Sequence, residues 1–161
     1  AGLPANVVPI PHPCPNDVYE ERMAAAMADA KRAGITQVIF GDLFLADIRA
    51  YREQKLAGTG LTPVFPLWGR PTAALAREMI ASGFEARLVT VDRTKLEPSF
   101  AGRSFDQALL ADLPAGIDPC GENGEFHTCV VAAPVFAQRI EVVSGDVVER
   151  DGFAYCDLLP A

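Results

Sequence analysis

Eleven residues carry most of the chemistry in this chain: Asp118-Pro119-Cys120-Gly121-Glu122-Asn123-Gly124-Glu125-Phe126-His127-Thr128. Three carboxylates, a thiol and an imidazole sit among two glycines and a proline. Pro119 donates no backbone hydrogen bond, and glycine permits positive φ or a close backbone approach, so the segment is neither helix nor ordinary strand. It runs into the apolar stretch Cys129-Val130-Val131-Ala132-Ala133, which reads as a site mounted on a rigid strand. A solvated surface turn has much the same composition. Two features point away from it: an aromatic, Phe126, set beside Glu125, and a histidine in a chain whose other one is His12. Asp118, Cys120, Glu122, Glu125 and His127 are all metal-ligand types. Cys120 and His127 lack the second Cys or His pair of a zinc site, and no metal is assigned. Cys120 as nucleophile with His127 as its base is a further reading. Residues seven apart on a strand face opposite sides, so that pair needs a bent loop to meet.

A second cluster lies upstream. Gly41-Asp42 follows the run Thr36-Gln37-Val38-Ile39-Phe40, and open parallel sheets bind ligands beyond the carboxyl ends of their strands. Glycine lets a phosphate or base approach the backbone, and aspartate holds Mg²⁺ or a ribose hydroxyl. Alone, Gly-Asp in that place is also an ordinary turn. Arg49 and Arg52 either pair with phosphate or form helix-surface salt bridges with Asp47 or Glu53.

The elements that must position these groups alternate along the first two thirds of the chain. Residues 6–10 read as an edge strand interrupted by Pro9, and 11–15 as an extended connection. Asn16 or Asp17 caps a helix running to about Ala33, with Gly34 as its stop. Met23, Ala24, Met27 and Ala28 form one apolar face of it, assigned to core packing. A buried strand over 36–40, a helix over 46–57, a strand from Thr62, a helix from Pro71 and a strand over 86–91 follow. That alternation predicts right-handed βαβ units and a parallel sheet, hence an α/β fold. Ser104-Phe105-Asp106-Gln107 has capping-box form and opens a short helix to Leu113. Beyond Pro114 the rhythm turns to short strands over 129–133, 139–143, 147–150 and 153–158, with Asp151-Gly152 a two-residue hairpin signal. This tail is expected to be antiparallel or mixed.

Composition narrows the classes. The chain has 161 residues, half of them hydrophobic, enough for a real core. A formal charge of −7, with 14 Lys and Arg scattered along the chain, offers no basic face for nucleic acid. No apolar run approaches a membrane span, and the four cysteines lack Cys-x-x-Cys spacing, so reduced thiols in the cytoplasm are expected.

Several stretches also carry a resemblance. Cys120 to Thr128, then Pro134-Val135-Phe136, is similar to the signature of the diphthine–ammonia ligase family, enzymes of the adenine-nucleotide alpha-hydrolase (PP-loop) superfamily. Phe40-Gly41-Asp42-Leu43-Phe44, Arg49-Ala50-Tyr51-Arg52, Pro66-Leu67-Trp68-Gly69 and Asp157-Leu158-Leu159-Pro160 extend it over nearly the whole chain, in wording that resembles the bacterial branch. The resemblance implies a HUP-type parallel sheet flanked by helices, with ATP and Mg²⁺ as cofactors. It implies an amidation in which a carboxylate attacks the α-phosphate of ATP and ammonia displaces AMP from the acyl-adenylate. On it, residues 1–113 are the C-terminal part of a nucleotide-binding α/β domain, and 114–161 are a substrate-side loop and β region. Glu122 and Glu125 would hold ammonium and take its proton. Cys120, Gly121, Asn123, Gly124, Phe126, His127 and Thr128 would contact the substrate, and Gly41, Asp42, Arg49 and Arg52 the nucleotide. The acidic segment and Asp42 are expected to serve one cleft. The partners implied are a small-molecule or protein carboxylate and ammonia, with self-association open.

One departure matters. The superfamily's Ser-(Gly or Ser)-Gly-Lys-Asp-Ser phosphate loop is absent, and no Gly-Lys pair occurs anywhere. Those amides and that lysine supply most of the attraction for a triphosphate, so the chain as it stands is expected to bind ATP poorly. Loss of an N-terminal part, with an unpaired sheet edge left behind, is the expected reason. A non-catalytic nucleotide- or metabolite-binding module, or a small hydrolase using Cys120 or the carboxylates, are the rival readings.

Overall fold

In the computed structural model, which describes residues 2–161, the chain is mixed α/β and divides into two compact units, Leu3–Trp68 and Gly69–Ala161. The first holds α1 (Asn16–Arg32), β1 (Gln37–Ile39), α2 (Ala46–Leu56) and β2 (Thr62–Val64). β1 and β2 pair in parallel, Gln37 opposite Thr62 and Ile39 opposite Val64. The α1 stop is as expected: Gly34 takes φ 86° just past the C-cap, a conformation that costs glycine little.

Three expectations for this unit are corrected. Residues 6–10 form no strand, because Pro9 and Pro11 remove the donors a ladder needs. The strand at 37–39 is not buried: Ile39 is 70% exposed, since β1 has only β2 beside it among the described residues. The Met23/Ala24/Met27/Ala28 face is not core either. Ala26 is the buried residue of α1, while the methionine face lines an open groove of about 380 Å³ against Lys55, Leu56 and Thr59.

The second unit contains α3 (Thr72–Ala81), β3 (Glu85–Asp92), a 3₁₀ turn (Pro98–Phe100), α4 (Gln107–Asp112), β4 (Phe126–Ala132), β5 (Val142–Arg150) and β6 (Phe153–Pro160). The sheet order is β4-β3-β6-β5, antiparallel throughout. This corrects the place of β3, expected in the parallel sheet. Its Leu88 pairs with Thr128 and its Val91 with both Phe126 and Ala154. Within this unit β3 and β6 are the inner strands, flanked by β4 and β5.

One face of the sheet is sealed by Leu88, Val91, Phe126, Ala154 and Cys156 against Ala76, Leu109, Phe100 and Phe105. Burying the leucine, valine and phenylalanine side chains among them contributes about 1.5–3 kcal/mol each. The short helix α4 is capped by Asp106, whose Oδ1 accepts from Leu109 N–H at 2.8 Å, and not by Ser104, whose hydroxyl is taken by Arg87. Asp151 and Gly152 have φ 51° and 82°, as a two-residue turn between β5 and β6 demands. Between the strands expected over 139–143 and 147–150, a bulge at residues 144–147 replaces a break, and β5 runs through it. Among the described residues no helix is long and apolar enough to cross a membrane, and all four cysteines are free.

Candidate functional site

The acidic segment is a folded loop, built by its own hydrogen bonds at the head of β4. Asp118 is the first knot. Its Oδ2 accepts from Glu122 N–H at 2.8 Å, its carbonyl accepts from Gly121 N–H at 2.9 Å, and its own N–H donates to Glu125 Oε1 at 3.0 Å. Glu125 is the second. It is 2% exposed, and Oε1 also accepts from the Asn123 side-chain amide at 3.0 Å. Oε2 is buried without a hydrogen-bond partner. Burial pushes the Glu125 carboxyl up, but the Asn123 amide and the backbone N–H groups of Asp118, Glu125 and Asn123 outweigh it, and the net shift is downward. Donors aimed at the charged form win over desolvation here, so Glu125 is an ionised carboxylate inside the protein.

The loop is strapped to the end of β3. Asp92 N–H donates to Glu125 C=O at 2.9 Å, and Lys95 Nζ donates to Asn123 C=O at 2.7 Å. Asp92 is itself held below its ordinary range by the Thr94 hydroxyl and N–H, with Lys95 beside it. Gly121 is required by shape as well as by its φ of 70°: a Cβ there would lie 2.9 Å from Phe126 O and 3.1 Å from its ring. Gly124 has φ 76° and open space around it.

The remaining predicted residues divide by face. Phe126, Thr128 and Val130 line a small cavity of about 80 Å³ together with Cys120, Met79 and Phe105. His127, between Phe126 and Thr128 on β4, turns to the opposite face and is exposed. The Cys120 thiol donates to Thr72 C=O at 3.4 Å, and burial, then the charges of Asp118 and Glu122, push it up to about 11. A half-buried, protonated thiol on the other side from the imidazole is poorly suited to nucleophilic attack. No cluster of three or more metal-ligating side chains exists among the described residues.

In the first unit, Asp42 lies just past β1, and Arg52 Nε is 2.9 Å and 3.1 Å from its two carboxylate oxygens. The Arg52 guanidinium lies 4.6 Å over Phe40, which stacks on Phe65 at 5.4 Å. Arg49 lies 4.7 Å from both the Phe65 and Trp68 rings and pairs with Glu53 at 2.8 Å. Both arginines and Asp42 therefore have partners within this unit. The Glu53 bridge is one of the two that helix spacing allowed. Gly41 is exposed, with nothing within 4 Å of a Cβ placed there.

Sequence reasoning placed Asp118 in the acidic segment as a metal-ligand type but not as the residue that closes its turn, and it passed over Asp92 and Lys95. Its one usable signal for Asp118 was an Asp four residues ahead of Glu122, a spacing that suits a side chain closing a turn.

A mixed α/β chain that presents an ionised, buried glutamate on a glycine-bent loop has the features of a small-ligand or catalytic site mounted on a sheet. Residues 71–158 match the family described as the diphthamide synthase C-terminal domain. The chain belongs to this diphthine–ammonia ligase-like family. It is 37% identical over 118 residues to a human protein named diphthine–ammonia ligase, covering 68% of this chain and 44% of that protein. A fission yeast protein of that name is 32% identical over 103 residues, 62% of this chain and 17% of its own length. A bovine one is 27% identical over 160 residues, 96% of this chain and 60% of its own. The chain thus spans less than two thirds of the relatives it matches.

Proposed function

We propose that the chain is part of an ATP-dependent amide-forming ligase. A substrate carboxylate attacks the α-phosphate of ATP and expels pyrophosphate. Ammonia then adds to the acyl-adenylate, AMP leaves, and one proton is released to a base. ATP with Mg²⁺ supplies the activation; Asp42, Gly41, Arg49 and Arg52 are proposed on the nucleotide side, in a cytoplasmic protein. The acidic loop is proposed on the ammonia and acceptor side, with Glu122 and Glu125 as the carboxylates and the residues from Cys120 to Thr128 lining the acceptor's approach.

One observation carries this reading: Glu125 is 2% exposed, has its pKa lowered, and keeps one oxygen without a hydrogen bond. A buried anion lacking a donor is costly unless a small cation or a water supplies one, and ammonium is such a cation. The relatives named diphthine–ammonia ligase support the same chemistry. The test is ammonium-dependent release of AMP and pyrophosphate by the complete protein, with a panel of carboxylic acids as acceptors. Glu122→Gln and Glu125→Gln should each abolish it. Full activity in both variants would end this assignment of the loop.

A second reading, a nucleotide- or metabolite-binding module without turnover, is favoured by the first unit. Its arginines are engaged by Asp42, Glu53 and aromatic rings. Binding of AMP to the complete protein with no product formed under any acceptor would select it.

A further inference from the structure

We infer that Asn123 is the positioning residue of Glu125: its side-chain amide holds Oε1 and so leaves Oε2 as the oxygen for a cation. This rests on the ligase reading for what that cation is. Asn123 Nδ2 donates to Glu125 Oε1 at 3.0 Å, and the Asp118 N–H donates to the same oxygen at 3.0 Å. Two donors on one oxygen oppose rotation of the carboxylate, while Oε2 stays buried without a hydrogen bond. At 2% exposure Glu125 has almost no water to orient it, so the orientation falls to these donors.

Asn123 is itself fixed. Lys95 Nζ donates to its carbonyl at 2.7 Å, and Gly124 N–H, one residue on, donates to Gly121 C=O at 3.0 Å. The backbone is thus held from both sides, and the side-chain amide acts on the reaction through Glu125. Burial pushes the Glu125 carboxyl up, and the Asn123 side chain comes first among the groups that pull it back below its ordinary value. An amide does this without a charge of its own, so the anion is stabilised and not neutralised. That suits a carboxylate that must hold ammonium as a cation; a lysine in place of Asn123 would cancel the charge the cation needs. Asp118, Cys120 and Glu122 border Glu125 in the loop, and Asp92 and Lys95 border it from the end of β3. Replacing Asn123 by a neutral residue alters none of those groups.

Asn123→Ala in the complete protein removes this donor, keeps the carbonyl that Lys95 holds, and changes no charge. By carbon NMR the Glu125 carboxyl should become about ten-fold easier to protonate, the worth of one hydrogen bond to a charged group. At pH 8 the carboxylate is ionised in both proteins, so a several-fold rise in the KM for ammonium, with kcat little changed, reads lost orientation and not lost charge. The Asp118 amide keeps its acceptor and should stay protected from hydrogen exchange. The inference is overturned if either the Glu125 titration or the ammonium KM stays at its parent value. Loss of Asp118 protection also overturns it, because Asn123 would then be holding the whole loop and not one carboxylate. A further measurement needs no variant: in the parent, the Asn123 side-chain amide protons should shift with the same midpoint as the Glu125 carboxyl carbon, and amide protons indifferent to that titration overturn the inference. A parent protein with no ammonium-dependent AMP release sinks the ligase reading, and the titrations then decide the hold on Glu125 separately.

Discussion

Gly121 and Gly124 form a matched pair for asking whether the acidic loop is built to shape or merely flexible. Both have positive φ, 70° and 76°, so replacing either by alanine forces a left-handed L-residue at a cost of about 1 kcal/mol. Only Gly121 adds a collision. Its new Cβ would sit 2.9 Å from Phe126 O and 3.1 Å from the Phe126 ring. Phe126 cannot retreat, because it opens β4 opposite Val91 and is 4% exposed in the core. Overpacking of that kind costs about 1–3 kcal/mol more. Gly124→Ala should therefore lower the melting midpoint of the Gly69–Ala161 unit by about 4–8 °C, and Gly121→Ala by roughly two to four times as much. Calorimetry on the whole chain reads both, with hydrogen exchange of the β3 and β4 amides assigning the transition to this unit. Equal losses would refute the claim that Gly121 is closed onto Phe126.

Three further outcomes follow from the same geometry. Because Glu125 has its pKa lowered from an ordinary 4.5, its contribution to stability is fully present above pH 4.5 and is lost as pH falls through the folded value; Glu125→Gln should flatten that part of a urea-midpoint against pH curve, and an unchanged acid limb would contradict it. With its thiol near 11, only about a thousandth of Cys120 is thiolate at pH 8, so iodoacetamide should label exposed Cys129 long before it, as peptide mass spectrometry would show; labelling of Cys120 at an equal rate would contradict the burial assigned to it. Asp42→Asn removes the charge facing Arg52 and should destabilise the Leu3–Trp68 unit by about 1–3 kcal/mol, followed by Trp68 fluorescence in urea; an unchanged midpoint would mean that the pair is solvated.

The helices and the hairpin were legible because their signals are local. Gly34 ends α1 and Asp151-Gly152 makes its turn from chain-near interactions alone. The acidic segment was legible as a bent loop ahead of a strand for a similar reason, since proline and glycines at that density leave few alternatives. Strand partnership was not legible. Residues 85–92 have the apolar run of a parallel strand, but a run buried by helices on one side and flanked by β4 and β6 looks the same in sequence. The methionine face of α1 was misassigned because periodicity reports a stripe and not what covers it. Asp118 was legible as part of the segment, but its hold on the Glu122 amide was only hinted at by their spacing. Arg49 and Arg52 were left between two readings, and the aromatic rings beneath them, contributed by Phe40, Phe65 and Trp68, come together only through the fold.

The charge balance of the loop bears on which substrate it can serve. Asp118, Glu122 and Glu125 fall within eight residues of a chain whose net charge is −7, and the Lys95 ammonium is bonded to the loop. Lys95 spends one donor on the Asn123 carbonyl and faces Asp92 at 3.3 Å, so it neutralises β3's aspartate as much as the loop. Buried backbone donors stabilise Glu125 without cancelling its charge. The loop accordingly keeps a negative local field, which attracts a small cation and repels a triphosphate by several kT if the two are close. On the proposed ligase reading, the acidic loop is therefore assigned to the nitrogen donor and phosphate binding to other groups.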